Sequence, residues 1–337
     1  MSDPNIERWL DQTLTLHQRL TESVVAIIEN LLKAENVDYL AVSGRTKSKK
    51  SALEKISRKG YRKPAEQMTD LTGIRIIVFF ESAISVVSDL IDNAFSVDTH
   101  NSLNQDSLLS TDQIGYRSVH FVCDLGTERA SLPEFKELAG LKFEFQVRTV
   151  LQHAWAELAH DRNYKFSGKL PTNVERQLYL YAGMLDIADQ GFDEVSKRID
   201  RYIEDLEKKS SEGELDLEID SISLQNFVKE WGRKNGVELV PIKGSVDELI
   251  DELSAFGIAT LSDLNHIIPE NYADVYKENK HESNIFGVVR DWMLIQDWRR
   301  FDRDVQYDWV VVEGEDDLPK YFIDDDDLHE FYGTFGF

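Results

Sequence analysis

The sequence predicts an α+β protein: a mixed β-sheet flanked by helices, followed by a mostly helical C-terminal region. Three observations lead there. Short runs rich in β-branched and aromatic residues (74–80, 116–123, 141–148) alternate with segments of helical period as far as residue 163. Beyond that point nearly all apolar spacing is helical. Charge divides the chain in the same way, with 21 Lys/Arg against 23 Asp/Glu in residues 1–170 but 17 against 39 in residues 171–337, for a formal net charge of -24.

Taken in order, residues 6–34 carry Leu10, Leu14, Leu20, Val24, Ile27, Ile28, Leu31 and Leu32 at the spacing of an amphipathic helix. A strand from Tyr39 to Ser43 leads into Gly44 and a helix from Ser51 to Lys59. Ile74 to Phe80 has the composition of a buried strand, and 82–93 that of a helix. The stretch 100–114 is polar without apolar periodicity, a loop. Strands follow at 116–123 and 141–148. The second alternates: Phe143, Phe145 and Val147 face one way, Lys142, Glu144, Gln146 and Arg148 the other. Helices are expected at 150–163 and 173–208, then a linker at 210–214. Further helices fall at 221–234, 246–255, 261–267 and 284–299, with a strand from Tyr307 to Val312. The run Asp324 to Asp327 precedes an aromatic tail of Phe331, Tyr332, Phe335 and Phe337. The organisation this predicts is an N-terminal helix (1–36) packing on a core domain (37–209), then an acidic helical domain (215–337).

Composition narrows the function classes. Hydrophobic content of 42% and charged content of 30% suit a globular protein with a sizeable core. The lone cysteine, Cys123, allows no internal disulfide, and no signal-like N-terminus or 18-residue apolar run occurs. A cytoplasmic protein is expected. The acidity argues against broad nonspecific nucleic-acid binding, which depends on phosphate neutralisation.

Against that background, ten basic residues lie between Arg45 and Arg75, opposed only by Glu54, Glu66 and Asp70. On a helix from Ser51, the residues Ser51, Lys55, Arg58 and Arg62 share one face, with Ala52, Leu53 and Ile56 opposite. Arg45 and Lys47 arrive from the preceding strand. Such convergence suits a triphosphate, whose oxygens take charge-assisted hydrogen bonds; a solvated helix face is the competing reading. Asp70 precedes a buried strand and Glu144 lies within one, so they are candidates for a Mg²⁺ site or, for Glu144, a proton acceptor. Pairing of Glu144 with a basic neighbour is the alternative. Gln146 and Arg148 share its face. Tyr116 after Gly115 could stack a base or simply pack, with Ser118 and His120 on its side of the strand. His153, Glu157 and His160 have spacing that could hold zinc, but no cysteine set accompanies them and the pattern is not His-Glu-x-x-His, so helix packing or a supporting contact is the favoured reading.

Together these segments resemble RelA/SpoT-type alarmone synthetases. Gly44-Arg45-Thr46-Lys47-Ser48, then Ser51-x-x-x-Lys55 and Arg58-Lys59-Gly60, is similar to that family's donor-nucleotide segment. Asp70-Leu71-Thr72-Gly73-Ile74-Arg75-Ile76 resembles its metal-binding aspartate motif, and Gly115-Tyr116-Arg117-Ser118-Val119-His120 its acceptor loop. Glu144-Phe145-Gln146-Val147-Arg148-Thr149 resembles its Glu-x-Gln-[Ile/Val]-Arg-Thr strand, and Trp155-Ala156-Glu157 through Tyr164-Lys165 the helix after it. The ordered set over residues 40–166 implies a nucleotidyltransferase-like sheet and Mg²⁺-dependent transfer of pyrophosphate from ATP to the ribose 3′-hydroxyl of GDP or GTP. It implies Arg45 and Arg75 beside the adenine, and Lys47, Ser51, Lys55 and Arg58 on the ATP phosphates. Asp70 and Glu144 would hold Mg²⁺, with Glu144 and Gln146 in the catalytic set. Tyr116, Ser118, His120, Arg148 and His153 would serve the acceptor.

Ile114 stands where many members have Asn before the Gly-Tyr pair. With the extra C-terminal region, this keeps open a toxin-type homologue that modifies the 3′ end of tRNA. A catalytically silent nucleotide-binding sensor is the third reading. No His-Asp hydrolase domain precedes the synthetase-like segment, so no alarmone degradation is expected. Residues 215–337 resemble no family; they could shield the basic cleft, contact another protein, mediate self-association or simply confer solubility.

Overall fold

The computed structural model describes residues 4–104, 118–165, 171–311 and 317–336. It forms two compact units, Met1–Ser196 and Lys197–Phe337. The division falls inside a long helix, upstream of the polar segment that the sequence suggests as a linker.

The first unit is built on a mixed sheet. Its strands are β1 (Tyr39–Thr46), β2 (Thr72–Val78), β3 (Ser96–Val97), β4 (Leu103–Asn104), β5 (Val119–Asp124) and β6 (Phe143–Thr149). The order is β1-β2-β6-β5-β3, with β4 also on β5; β2 and β6 run parallel and the other pairs antiparallel. Helix α1 (Pro4–Ala34) buries Leu10, His17, Leu20, Val24, Ile28 and Leu32 at three- and four-residue spacing. The expected helix near 51–59 is α2 (Lys49–Lys59), capped by the Ser48 side chain and closed by Gly60 in a left-handed conformation at φ 64°. A short α3 (Pro64–Gln67) follows, then α4 (Glu81–Ala94), α5 (Gly126–Ala130) and α6 (Val150–Lys165). Thr149 and Gln152 cap α6 reciprocally, each side chain bonding the other's backbone N–H at 3.1 Å.

One sheet face is core. Ile74, Ile76, Val78, Phe143, Phe145 and Val147 are fully buried, in one cluster with Leu20, Val24, Ile28 and Leu32 of α1 and Val87 and Ile91 of α4. Phe95, Phe143 and Phe145 pack with ring centroids 5.2–5.5 Å apart. Each such burial contributes roughly 1.5–3 kcal/mol. Helix α1 also lies tight on β1: a Cβ on Gly44 would come within 2.6 Å of Thr21 Cγ2 and 2.7 Å of Val25 Cγ2. Only a glycine permits that approach. Because side chains alternate, the same strands turn a polar row to the opposite face.

Helix α7 (Thr172–Glu212) is the longest element. In the first unit its Asp189 accepts from Thr149 Oγ1 at 2.5 Å, and its Asp193 accepts from Ser82 N at 3.1 Å. The linker expected at 210–214 is mostly the end of this helix, which stops only at Gly213, φ 84°. Small polar residues suggest a linker there, yet Ser and Glu are tolerated in a helix that continues from a strong upstream pattern.

In the second unit, α8 (Ser221–Asn235), α9 (Asp247–Ala255) and α10 (Leu261–His266) match expectation. The helix expected at 284–299 is longer, α12 (Ile285–Asp304), with a break at Asp297 where φ is -167° and ψ 87°. Helices α11 (Tyr272–Glu278) and α13 (Asp325–Phe335) were not foreseen. The acidic run opens α13, where carboxylates favour the helix N-terminus, and Phe331 and Phe335 of the aromatic tail are buried in the core. The strand expected from Tyr307 to Val312 is absent among the described residues: only Val311 makes a single bridge, to Gly336, and residue 312 lies outside them. Its alternation reflects one-sided packing of Tyr307 and Trp309 on Phe301 and Phe335, with no partner strand to make a ladder.

Candidate active site

Cross-strand register builds the site. Arg45, Gly73 and Glu144 lie in one row across β1, β2 and β6; Ser43, Arg75, Gln146 and His120 lie in the next, continuing onto β5. Lys47 and Asp70 sit just outside the two strand ends. Gly73 contributes no side chain, and a Cβ there would meet nothing within 4 Å. The result is a cavity of about 330 Å³ lined by Ser43, Arg45, Lys47, Asp70, Arg75, Glu144, Gln146 and Glu157, with backbone from Gly44, Gly73 and Ile74.

At one end, Lys55 Nζ and Lys47 Nζ both contact Asp70 Oδ2, at 2.6 and 3.0 Å. Burial pushes the Asp70 carboxyl up, but the hydrogen bonds from Lys55 and Lys47 outweigh it and hold it below the usual carboxylate range. Asp70 Oδ1 is buried with no hydrogen-bond partner among the described residues. Next to it, Glu144 Oε1 receives His120 Nδ1 at 2.8 Å and Gln146 Nε2 at 2.9 Å. Arg148 Nη2 in turn donates to Gln146 Oε1 at 3.1 Å. Burial raises Glu144 as well, and the bonds from His120 and Gln146 bring it below its ordinary value despite the repulsion of Asp70. Both carboxylates are therefore ionised at neutral pH.

Two hard carboxylates beside one cavity, one with a buried oxygen left over, fit a magnesium ion that completes its shell with substrate phosphate. Among the described residues no group of three or more His, Cys, Asp or Glu gathers as an all-protein cage. Of the trio His153, Glu157 and His160, the His160 side chain lies outside the described residues.

At the other end, Arg75 Nη1 pairs with Glu157 Oε1 at 3.0 Å, and His153 Nδ1 lies 3.9 Å from the same oxygen. Burial and the nearby Arg75 charge lower the His153 pKa. Where α1 meets β1 and β2, the buried His17, Thr21 and Thr72 and the half-buried Thr46 form a polar knot: His17 Nδ1 and Thr72 Oγ1 are 3.0 Å apart, and Thr21 Oγ1 is 2.8 Å from Thr46 Oγ1. This knot ties α1 to the strand ends that carry Lys47 and Asp70.

Of the residues singled out from sequence, Arg45, Lys47, Asp70, Arg75, Glu144 and Gln146 line one cavity, and Lys55, His120, Arg148 and His153 reach it through direct partners. Others stand apart. Ser51 is engaged in the cap of α2, where its N–H donates to Ser48 Oγ at 3.2 Å. Arg58 is exposed on α2 and Ser118 is buried, its hydroxyl without a hydrogen-bond partner among the described residues. Arg62 does not share the helix face expected of it, because Gly60 ends α2 two residues earlier. Tyr116, Gly115 and Ile114, with most of the loop expected at 100–114, lie outside the described residues; the start of that stretch includes β4. Sequence reasoning missed Glu157 as the partner of Arg75, and Gly73 as the opening of the cavity. Cross-strand pairing of Arg45 with Gly73 and of Gly73 with Glu144 was the missing information, since register is not readable from one strand alone.

The family these motifs define is matched directly: a model described as the region found in RelA/SpoT proteins covers residues 44–169. That match runs from β1 through the helix after β6, the segment that carries the motifs. Two relatives are GTP pyrophosphokinases of Bacillus subtilis. YjbM is 32% identical over 142 residues, 41% of this chain and 62% of its own length; YwaC is 25% identical over 187 residues, 53% of this chain and 83% of its own. The chain thus spans less than two thirds of the first relative. Among solved structures, small alarmone synthetase 1 from Bacillus subtilis aligns with a TM-score of 0.49 at 24% identity, over 58% of this chain and 99% of that one.

Proposed function

We propose that the first unit transfers pyrophosphate from ATP to the ribose 3′-hydroxyl of GDP or GTP, making guanosine tetra- or pentaphosphate. The observation that carries this reading is the junction of opposite charges at the cavity: two lysines on one oxygen of Asp70, its other oxygen left over, and Glu144 alongside. A triphosphate needs cations, and the metal it brings needs carboxylates. Both relatives are named as GTP pyrophosphokinases.

In this reading Arg45 and Arg75 flank the adenine, while Lys47 and Lys55 hold phosphate oxygens; Arg58, exposed on α2, is left outside the cavity. Asp70 and Glu144 would hold Mg²⁺, which would supply neutralisation of the charge building up on the phosphates. The 3′-hydroxyl oxygen attacks the β-phosphorus, the bond from that phosphorus to the α–β bridging oxygen breaks, and AMP leaves. Glu144 receives the hydroxyl proton, its position fixed by His120 and Gln146. Reaction by this route depends on alignment and charge neutralisation rather than on a covalent enzyme intermediate. The acceptor is held by Tyr116, His120, Arg148 and His153, while the buried Ser118 stands apart from the cavity. Cytoplasmic residence fits the substrates, and no helix among the described residues is long and apolar enough to cross a membrane.

The test is incubation of the purified full chain with Mg²⁺, ATP labelled at the β-phosphate, and either GDP, GTP or bulk tRNA. Label in a guanosine product supports the proposal. Label in tRNA alone redirects it to an RNA acceptor, and label in neither, with nucleotide bound, reduces the unit to a sensor.

A further inference from the structure

Among the described residues, Glu157 is the one carboxylate lining the cavity that neither contacts the lysines nor belongs to the Asp70–Glu144 pair. A third negative charge there opposes phosphate binding, so its use must lie at the end of the cavity away from Lys47 and Asp70. It projects from α6 onto Arg75, its side chain is 57% exposed, and both Arg75 and His153 approach the same oxygen, Oε1. A carboxylate offers about four acceptor sites on two oxygens, so an ion pair at Oε1 leaves acceptor capacity on a group that lines the cavity. Beside Glu157, the guanidinium of Arg75 presents a flat cationic surface on which a base can stack.

We propose that Glu157 is a specificity-determining residue for the donor base: it accepts a hydrogen bond from the exocyclic 6-amino group of adenine. The proposal rests on the reading of this cavity as the donor-nucleotide site. Adenine presents a donor at that position, whereas a 6-oxo purine presents an acceptor that a carboxylate repels. Discrimination comes from the unpaired or repelled group that the wrong base leaves behind.

The test compares donors that differ only at position 6: ATP, purine riboside triphosphate, which lacks the amino group, and inosine triphosphate, which carries an oxo group. Binding to the full chain is measured by calorimetry, and turnover with GDP in parallel, for wild type, Glu157→Gln and Glu157→Ala. Wild type should prefer ATP to purine riboside triphosphate by about tenfold to a hundredfold, the range of one hydrogen bond to a charged group. Glu157→Ala should abolish that ratio by weakening ATP alone. Glu157→Gln, nearly the same in shape and so a guard against misfolding, should gain affinity for inosine triphosphate relative to ATP. An unchanged ATP to purine riboside ratio in Glu157→Ala, or a wild-type preference for the 6-oxo purine, overturns the role of Glu157. Failure of wild type to bind any of the three overturns the cavity assignment itself.

Discussion

Replacing Gly73 by valine separates the fold from the site. Gly73 is the second residue of β2, paired on either side with Arg45 and Glu144; its φ is not positive, and a Cβ there meets nothing within 4 Å. A glycine in a strand interior costs about 0.5–1 kcal/mol relative to alanine, and β-branched residues gain further, for a total of roughly 1 kcal/mol. At about 2–4 °C per kcal/mol for a unit of this size, the melting temperature should hold or rise by a few degrees. The new isopropyl group, however, enters a cavity of only about 330 Å³, within the row that holds Arg45 and Glu144. Displacing a nucleotide by even 1 Å costs on the order of 10²-fold in rate. Calorimetric titration with a non-hydrolysable ATP analogue, beside thermal denaturation, reads both effects. A folded Gly73→Val protein that binds the analogue as wild type does would refute the assignment of this cavity. A protein that fails to fold would refute the view that the space above Gly73 is free.

Further expectations follow from the same geometry. Gly44→Ala forces a methyl group against Thr21 and Val25 at 2.6–2.7 Å, so overpacking should cost roughly 1–3 kcal/mol, seen as a lowered melting temperature. Glu144→Gln keeps an acceptor oxygen for His120 and Gln146 but removes the charge; product formation should drop on the order of 10²–10³-fold with the melting curve nearly unchanged. Burial lowers the His17 pKa from 6.5 to about 4, so the unfolded chain takes up a proton in that window that the folded one does not. Stability should therefore fall as pH drops from about 6.5 to about 4, by up to roughly 3 kcal/mol, and denaturant titrations of His17→Gln should show a flatter profile.

Much of the first unit was legible because its signals are local. The alternation of Phe143, Phe145 and Val147 against Glu144, Gln146 and Arg148 gives both the strand and the division into core face and site face. Leu20 to Leu32 gives α1 in the same way. What escaped depends on partners distant in sequence. Tyr307 to Val312 alternates, but whether an extended segment becomes a strand is decided by the neighbour it finds. The aspartates at 324–327 and the aromatic tail after them carry no assigned element from sequence, while in the structure Phe331 and Phe335, one turn apart, share a buried helix face. Glu157 was noticed for its spacing from two histidines, a pattern along one helix; its partner Arg75 lies on a strand more than eighty positions earlier. Gly73 carries no chemistry of its own, and its importance lies in the two charged side chains its register places on either side.

The most direct measurement is a crystal structure of the full chain with Mn²⁺ and a non-hydrolysable ATP analogue, with the metal located by anomalous scattering. The proposal places the manganese peak between Asp70 and Glu144, bound to a carboxylate oxygen of each, and the analogue's phosphates on Lys47 and Lys55. A peak elsewhere, or a nucleotide seated away from these two lysines, contradicts it.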